Sequence, residues 1–219
     1  MKHFNTKMEN NVWLINEYDP KKIELGKVST KNVTFFYPLR DSPDKFVKLK
    51  IQTPRMKIPW DPQSRFTTKE NKLFLKNVSL STEEYGTKSN RTNIDLFIKK
   101  IEETDEKIKE LLPEEFKGKI FNSSLWQNKN KEFKPTMKVG MPWDFDGNCK
   151  CSVFDNDNEL ISYENVTKGI IISSILRLDS LWIFENKIGL NWTLEQIKIY
   201  NDQPTLKGML SKLKIKTEE

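Results

Sequence analysis

The chain has 219 residues, enough for one domain with a full hydrophobic core. It carries 37 Lys+Arg against 31 Asp+Glu, a net charge of +6, and its 11% aromatic content is too high for a disordered chain. No run approaches the ~18 apolar residues of a membrane helix, and Met1–Asn5 opens no apolar signal core, so a soluble, cytoplasmic protein without membrane contact is expected.

Residues 1–30 read as an N-terminal arm, with Trp13, Leu14, Ile15 and Tyr18 available to dock it onto a body spanning 31–200. The body opens with strand patterns at Val33–Leu39 and Phe46–Thr53. In the second, Val47, Leu49 and Ile51 alternate with Lys48, Lys50 and Gln52, which gives one apolar and one basic face. Three prolines between Thr53 and Pro62 exclude helix and predict an extended loop bearing Arg55, Lys57 and Trp60. Leu73–Leu80 alternates as a further strand.

One helix is predicted over 93–112. Ile94, Phe97, Ile98, Ile101, Ile108 and Leu111 recur at helical spacing behind a capping-box start at Thr92 and Asp95, and Pro113 ends it. Its other face is acidic, with Glu102, Glu103, Asp105, Glu106 and Glu110, whereas the basic excess of the chain lies before residue 92. Strands return at Thr136–Trp143, Cys149–Asp155 and Gly169–Leu178. Leu181–Glu185 and Leu190–Tyr200 then form a hairpin across Asn186–Gly189. Residues 201–219 are a C-terminal tail. Strands, one amphipathic helix and more strands predict a mainly β (α+β) fold, an OB-fold-like Greek-key barrel with an inserted helix and terminal extensions.

Catalytic chemistry finds little to work with. His3 is the only histidine, and no glycine-rich phosphate loop is present. Asp155–Glu159 starts like a calcium loop but has Leu160 and Val166 where glycine and glutamate are required, so a hairpin turn is expected. Asp144 and Asp146 flank Phe145 without a third carboxylate nearby. Cys149 and Cys151, the only cysteines, would point the same way on a strand, which suits neither a disulfide nor zinc. We expect no enzyme, no metal and no cofactor.

Single-stranded nucleic acid is held by cations along its backbone and by flat rings under its bases. Both recur here: Lys48 and Lys50, then Arg55, Lys57 and Trp60, then Arg65 and Phe66, and later Lys134, Lys138 and Trp143. Taken one at a time, each lysine is better explained by a solvated strand face, and Trp60 and Trp143 are open between stacking and core packing. Trp182 and Trp192 are assigned to the core. The clustering of charge and ring around Pro54–Trp60 carries the functional reading.

The segment Ile51-Gln52-Thr53-Pro54-Arg55-Met56 is followed by the helix ending over Glu102–Leu111, then by Phe133-Lys134-Pro135-Thr136-Met137-Lys138-Val139. Trp182-Ile183-Phe184 and Lys187-Ile188-Gly189-Leu190-Asn191-Trp192 complete the order. Over about residues 45–200 this resembles the single-stranded-DNA-binding proteins of nucleocytoplasmic large DNA viruses, the group that includes African swine fever virus. The resemblance implies an OB-fold-like core that coats single-stranded DNA during replication or repair in the cytoplasmic virus factory. It places Gln52, Thr53, Arg55 and Lys57 in one binding segment and Lys134 and Lys138 in another. RNA, self-association along DNA and viral replication proteins are further partners to be considered. The alternative is a virion structural or interaction protein that uses the basic face and the acidic helix.

Overall fold

The computed structural model describes residues 11–29, 32–66, 73–84, 86–127 and 132–200, with backbone alone at 64–66 and 73–75. The predicted C-terminal tail, 201–219, lies outside the described residues. The strands are β1 (Val12–Leu14), β2 (Glu24–Ser29), β3 (Asn32–Leu39), β4 (Ser42–Val47), β5 (Lys50–Gln52), β6 (Met56–Lys57), β7 (Gln63–Phe66) and β8 (Leu73–Ser81). Helices α1 (Lys88–Leu111) and α2 (Glu114–Lys117) follow. The second half holds β9 (Ile120–Asn122), β10 (Leu125–Trp126), β11 (Thr136–Gly140), β12 (Ser152–Phe154), β13 (Leu160–Ile161), β14 (Ile171–Phe184) and β15 (Lys187–Tyr200).

The chain is mainly β with one long helix. Period-two alternation sets the sheet faces: Val33, Phe35 and Tyr37 are buried on β3, and Met137 and Val139 on β11, with more open residues between them. Five strands form a closed path of ladders. β6 pairs antiparallel with β8, β8 with β11, and β14 with both β15 and β6, while β11 meets β15 in parallel at Gly140 and Thr193. Two of these junctions, β6–β8 and β11–β15, are one residue pair wide.

Several elements differ from the sequence reading. Part of the expected arm joins the sheet: β1 runs parallel to β5 and β2 pairs with β3. Tyr18 is buried, its hydroxyl 2.8 Å from Thr104 Oγ1, and Tyr37 donates its hydroxyl to the Asp19 carbonyl. The strand expected over Phe46–Thr53 divides at Lys48-Leu49, where the chain leaves β3 as partner and takes up β1 and β14. A short strand, β6, stands inside the expected proline loop, because Met56 is buried and pairs with Ile172. The two strands expected on either side of Asp179 are one, β14. Bulges at Ile175/Leu176 and Leu178/Ser180 break its alternation and hide its continuity.

The β14–β15 turn is tighter than expected. Phe184 pairs with Lys187 across Glu185-Asn186, and Glu185 takes the positive φ that a two-residue hairpin requires. Next to the turn, Gly189 lies opposite Trp182; a Cβ there would meet the indole at 2.6 Å. The ring therefore packs on bare backbone. Trp192 is buried and donates its indole N–H to Ser124 Oγ.

Helix α1 starts five residues earlier than its apolar pattern. Thr87 caps it by accepting from the Asn90 amide, while the expected cap, Thr92, bonds back to the Lys88 carbonyl within the helix. The extra turn is polar and raises the helix to six basic and six acidic residues, so it is not an acidic rod. Pairs such as Lys109–Glu106 and Lys100–Glu103 lie along it. Ile94, Phe97, Ile101 and Ile108 face the core, each contributing on the order of 1.5–3 kcal/mol by burial. Asp105 is not on a solvent face. It is buried and accepts from Ser123 Oγ, Ser124 Oγ and the Ser124 amide at 2.6–2.9 Å. Burial pushes its carboxyl above the usual value, and the hydrogen bonds from Ser124 and Ser123 offset this only in part.

Candidate nucleic-acid interface

The sequence-predicted residues separate into three places. Lys48 and Lys50 lie on the face of β5, β14 and β15, each beside a carboxylate. Lys48 Nζ is 2.9 Å from Asp179, and Lys50 Nζ is 2.8 Å from Glu195. Arg177 joins the two, at 2.6 Å from each carboxylate, and Thr193 donates its hydroxyl to Asp179. Burial works against the charge of Asp179, but hydrogen bonds from Arg177, Thr193 and Lys48 outweigh it and hold its pKa below the ordinary value. The basic face read from β5 is thus one half of an ion-pair network whose other half, from β14 and β15, is over 120 residues further along the chain.

Lys57 and Lys138 occupy a different face. Residues opposite one another in a ladder project on the same side. Lys57 faces Ser81, Ser81 faces Thr136, and Thr136 faces Trp126, so one row crosses β6, β8, β11 and β10. Ser81 and Thr136 in its middle are buried, which leaves a cation at one end and an indole, 57% exposed, at the other. Lys138 stands in the next row, opposite Ser79. Two ladder spacings and a two-residue offset put the Lys57 and Lys138 backbones roughly 12 Å apart. Neither lysine has a carboxylate partner among the described residues. Trp60 follows Lys57 by three residues with 47% of its surface exposed, and Phe133 is exposed just before β11. Trp126 and Phe133 carry no signal in the sequence, because an isolated ring in a short strand cannot be told from a core residue.

The remaining residues are mixed. Lys134, beside β11, is paired with Glu84 at 3.2 Å and Asp95 at 3.6 Å. Arg65 sits on β7 opposite Phe74, its side chain outside the described part. Trp143 packs edge-on against Tyr163 at 5.0 Å and sides with the core. Thr53 is buried and ties β5 to β14: its hydroxyl accepts from the Ser174 amide, and its carbonyl accepts from Ser173 Oγ.

Gln52 and Arg55 belong to a third place, an open cleft of about 350 Å³ between β1, the first turn of α1 and the end of β15. Asn90 grips Arg55 by its backbone, accepting from its amide at 3.1 Å and donating to its carbonyl at 3.0 Å. This holds the guanidinium over the ring of Tyr200, 3.9 Å from the centroid. The polar first turn of α1, which the apolar pattern could not reveal, supplies that grip.

Asp144 is bound by Lys150 and by the Asn148 amide and side chain, which hold its carboxyl far below the usual range. Asp155 accepts from the Asp157 and Glu159 amides and forms the β12–β13 turn expected there. No cluster of His, Cys, Asp or Glu with metal-binding spacing occurs among the described residues, and no helix among them is long and apolar enough to cross a membrane.

Fold and site together define a mainly β protein with an open basic and aromatic face. The chain is similar to the single-stranded DNA-binding protein of bacteriophage Enc34. Against that protein in complex with single-stranded DNA the TM-score is 0.43 at 12% identity, covering 83% of this chain and 97% of the other. Against the same phage protein in another structure the TM-score is 0.43 at 11% identity, covering 81% and 89%. Likeness of this degree establishes neither fold nor function. No protein-family model and no curated protein matches the chain, so the large-DNA-virus family expected from its motifs gains no support from either comparison.

Proposed function

We propose that this protein binds single-stranded DNA without sequence preference and without catalysis, through an OB-type barrel. The observation that carries the reading is the face of β6, β8, β11 and β10. There Lys57 and Lys138 lack carboxylate partners among the described residues, the exposed ring of Trp126 ends the row that Lys57 begins, and the exposed Trp60 follows Lys57 by three residues in the chain. The lysines neutralise phosphates, and the indoles give bases a surface to stack on at ~1–3 kcal/mol each. The closed path of five ladders supports the barrel. In chain order its second and third strands are β8 and β11, the positions whose face binds oligonucleotides in OB-folds. A role in viral replication or repair, and a site of action in the host cytoplasm, rest on the motif resemblance.

The test is fluorescence anisotropy with a labelled oligonucleotide as single strand, as duplex and as RNA, each at two salt concentrations. The expected result is binding that prefers the single DNA strand and weakens steeply with salt, because bound lysines release counterions. Equal affinity for duplex, or binding indifferent to salt, would overturn the reading.

A further inference from the structure

The cleft at Arg55 lies beside the lysine face, not on it, and it has a chemistry of its own. Lys57 is two residues from Arg55, and both are exposed on either side of buried Met56. A strand whose phosphate sits at Lys57 therefore carries its neighbouring nucleotide towards the cleft. The wall there is the Arg55 guanidinium over the Tyr200 ring, 3.9 Å from its centroid, and a planar cation beside an aromatic ring is a surface on which bases stack. The rest of the lining is rich in side-chain amides, from Asn16, Gln52 and Asn93, and includes no carboxylate among the described residues. Each such amide offers a donor and an acceptor side by side, the pattern that pairs with the edge of a base. Asn90 is already committed to the Arg55 backbone, so the platform is set before any ligand arrives.

We propose that this cleft is a base-selective subsite that receives one unstacked nucleobase, with Arg55 and Tyr200 as platform and Gln52 and Asn93 as edge readers. It rests on the single-strand reading above and departs from it in one respect: the protein discriminates between bases at this position. The cleft, about 350 Å³, is large enough for a nucleobase.

Short DNA homopolymers of A, C and T, together with a spacer of the same length lacking bases, separate the possibilities. The wild-type protein binds its preferred homopolymer at least about fivefold tighter than the least preferred one, and the baseless spacer weakest of all. Gln52→Ala and Asn93→Ala level the ratio between homopolymers and leave the salt dependence unchanged. Tyr200→Leu weakens all base-bearing strands alike. Since Tyr200 closes a strand, thermal unfolding of each variant beside the titration separates a loss of fold from a loss of binding. Salt-dependent binding with unchanged ratios in the amide variants overturns the subsite alone. Failure of the wild type to bind any single strand overturns the single-strand reading itself.

Discussion

Two regions of the same sheet carry lysines, and they differ in what stands beside them. On β5, β14 and β15, Lys48, Lys50 and Arg177 are interleaved with Asp179 and Glu195 at 2.6–2.9 Å. On β6, β8 and β11, Lys57 and Lys138 neighbour serines and threonines, and the next large side chains are open indoles. A cation already paired gains little from a phosphate, because the new contact must replace an existing one. An unpaired cation gains the whole contact and releases a counterion. The first face is therefore a structural clasp between distant parts of the chain, and the second is the proposed binding surface.

The contrast is sharpest for the rings. Trp60→Ala and Trp126→Ala remove the two exposed indoles of the second face, and each is expected to weaken single-stranded DNA binding by ~1–3 kcal/mol. Both rings are about half exposed or more, so stability should change little; thermal unfolding alongside the titration checks this. Unchanged affinity in the double variant would remove the second face from the binding site.

Next in size are the cations. Lys57→Ala and Lys138→Ala should each lower the slope of log affinity against log salt by about 0.7, the value for one phosphate contact on a single strand. The measurement is a salt titration of each variant. If Lys48→Ala and Lys50→Ala flatten the slope as much, the distinction between the faces collapses.

This distinction explains what the sequence could and could not reveal. The alternation of Lys48, Leu49, Lys50 and Ile51 correctly placed the lysines outward. It could not show Asp179 and Glu195, since an ion-pair partner over 120 residues away leaves no trace in local pattern. The helix was legible from Ile94 onward because its core residues repeat. Its first turn was not, because Asn90 acts on Arg55 by hydrogen bonds that follow no period. Asp105 was misplaced for a related reason: a carboxylate on a charged stretch reads as solvated unless Ser123 and Ser124 are known to approach it. Trp182 was assigned to the core and Gly189 to the turn, whereas the part-buried ring lies across the ladder on Gly189, a residue without a side chain.

Asp179→Asn tests the clasp directly. The carboxylate is 21% exposed and accepts from Arg177, Lys48 and Thr193, so its loss should cost about 1–3 kcal/mol. The salt slope for DNA should not change. The native pKa of Asp179 is held below its unfolded value. Its contribution is then fully present above the unfolded pKa and disappears as pH falls through the native one. The variant should accordingly lose stability at neutral pH and converge with the wild type in acid, as urea titrations at several pH values would show. A steeper salt slope in the variant would mean that releasing Lys48 and Arg177 creates a second DNA-binding face.

The smallest effect is expected from Lys48→Ala. Lys48 is 43% exposed, and its partner Asp179 keeps both Arg177 and Thr193 when the lysine is gone. An exposed pair of this kind contributes roughly 0–1 kcal/mol, so both stability and DNA affinity should stay close to wild type. Lys57→Ala removes the same charge from a face where no carboxylate among the described residues compensates it. The pair of variants, measured in one salt titration, sets the same chemical change in two environments. A difference in slope between them is the direct signature of pairing, since composition and net charge are identical in the two proteins. Equal slopes would show that an ion pair on this protein's surface opens to phosphate as easily as a bare lysine binds it.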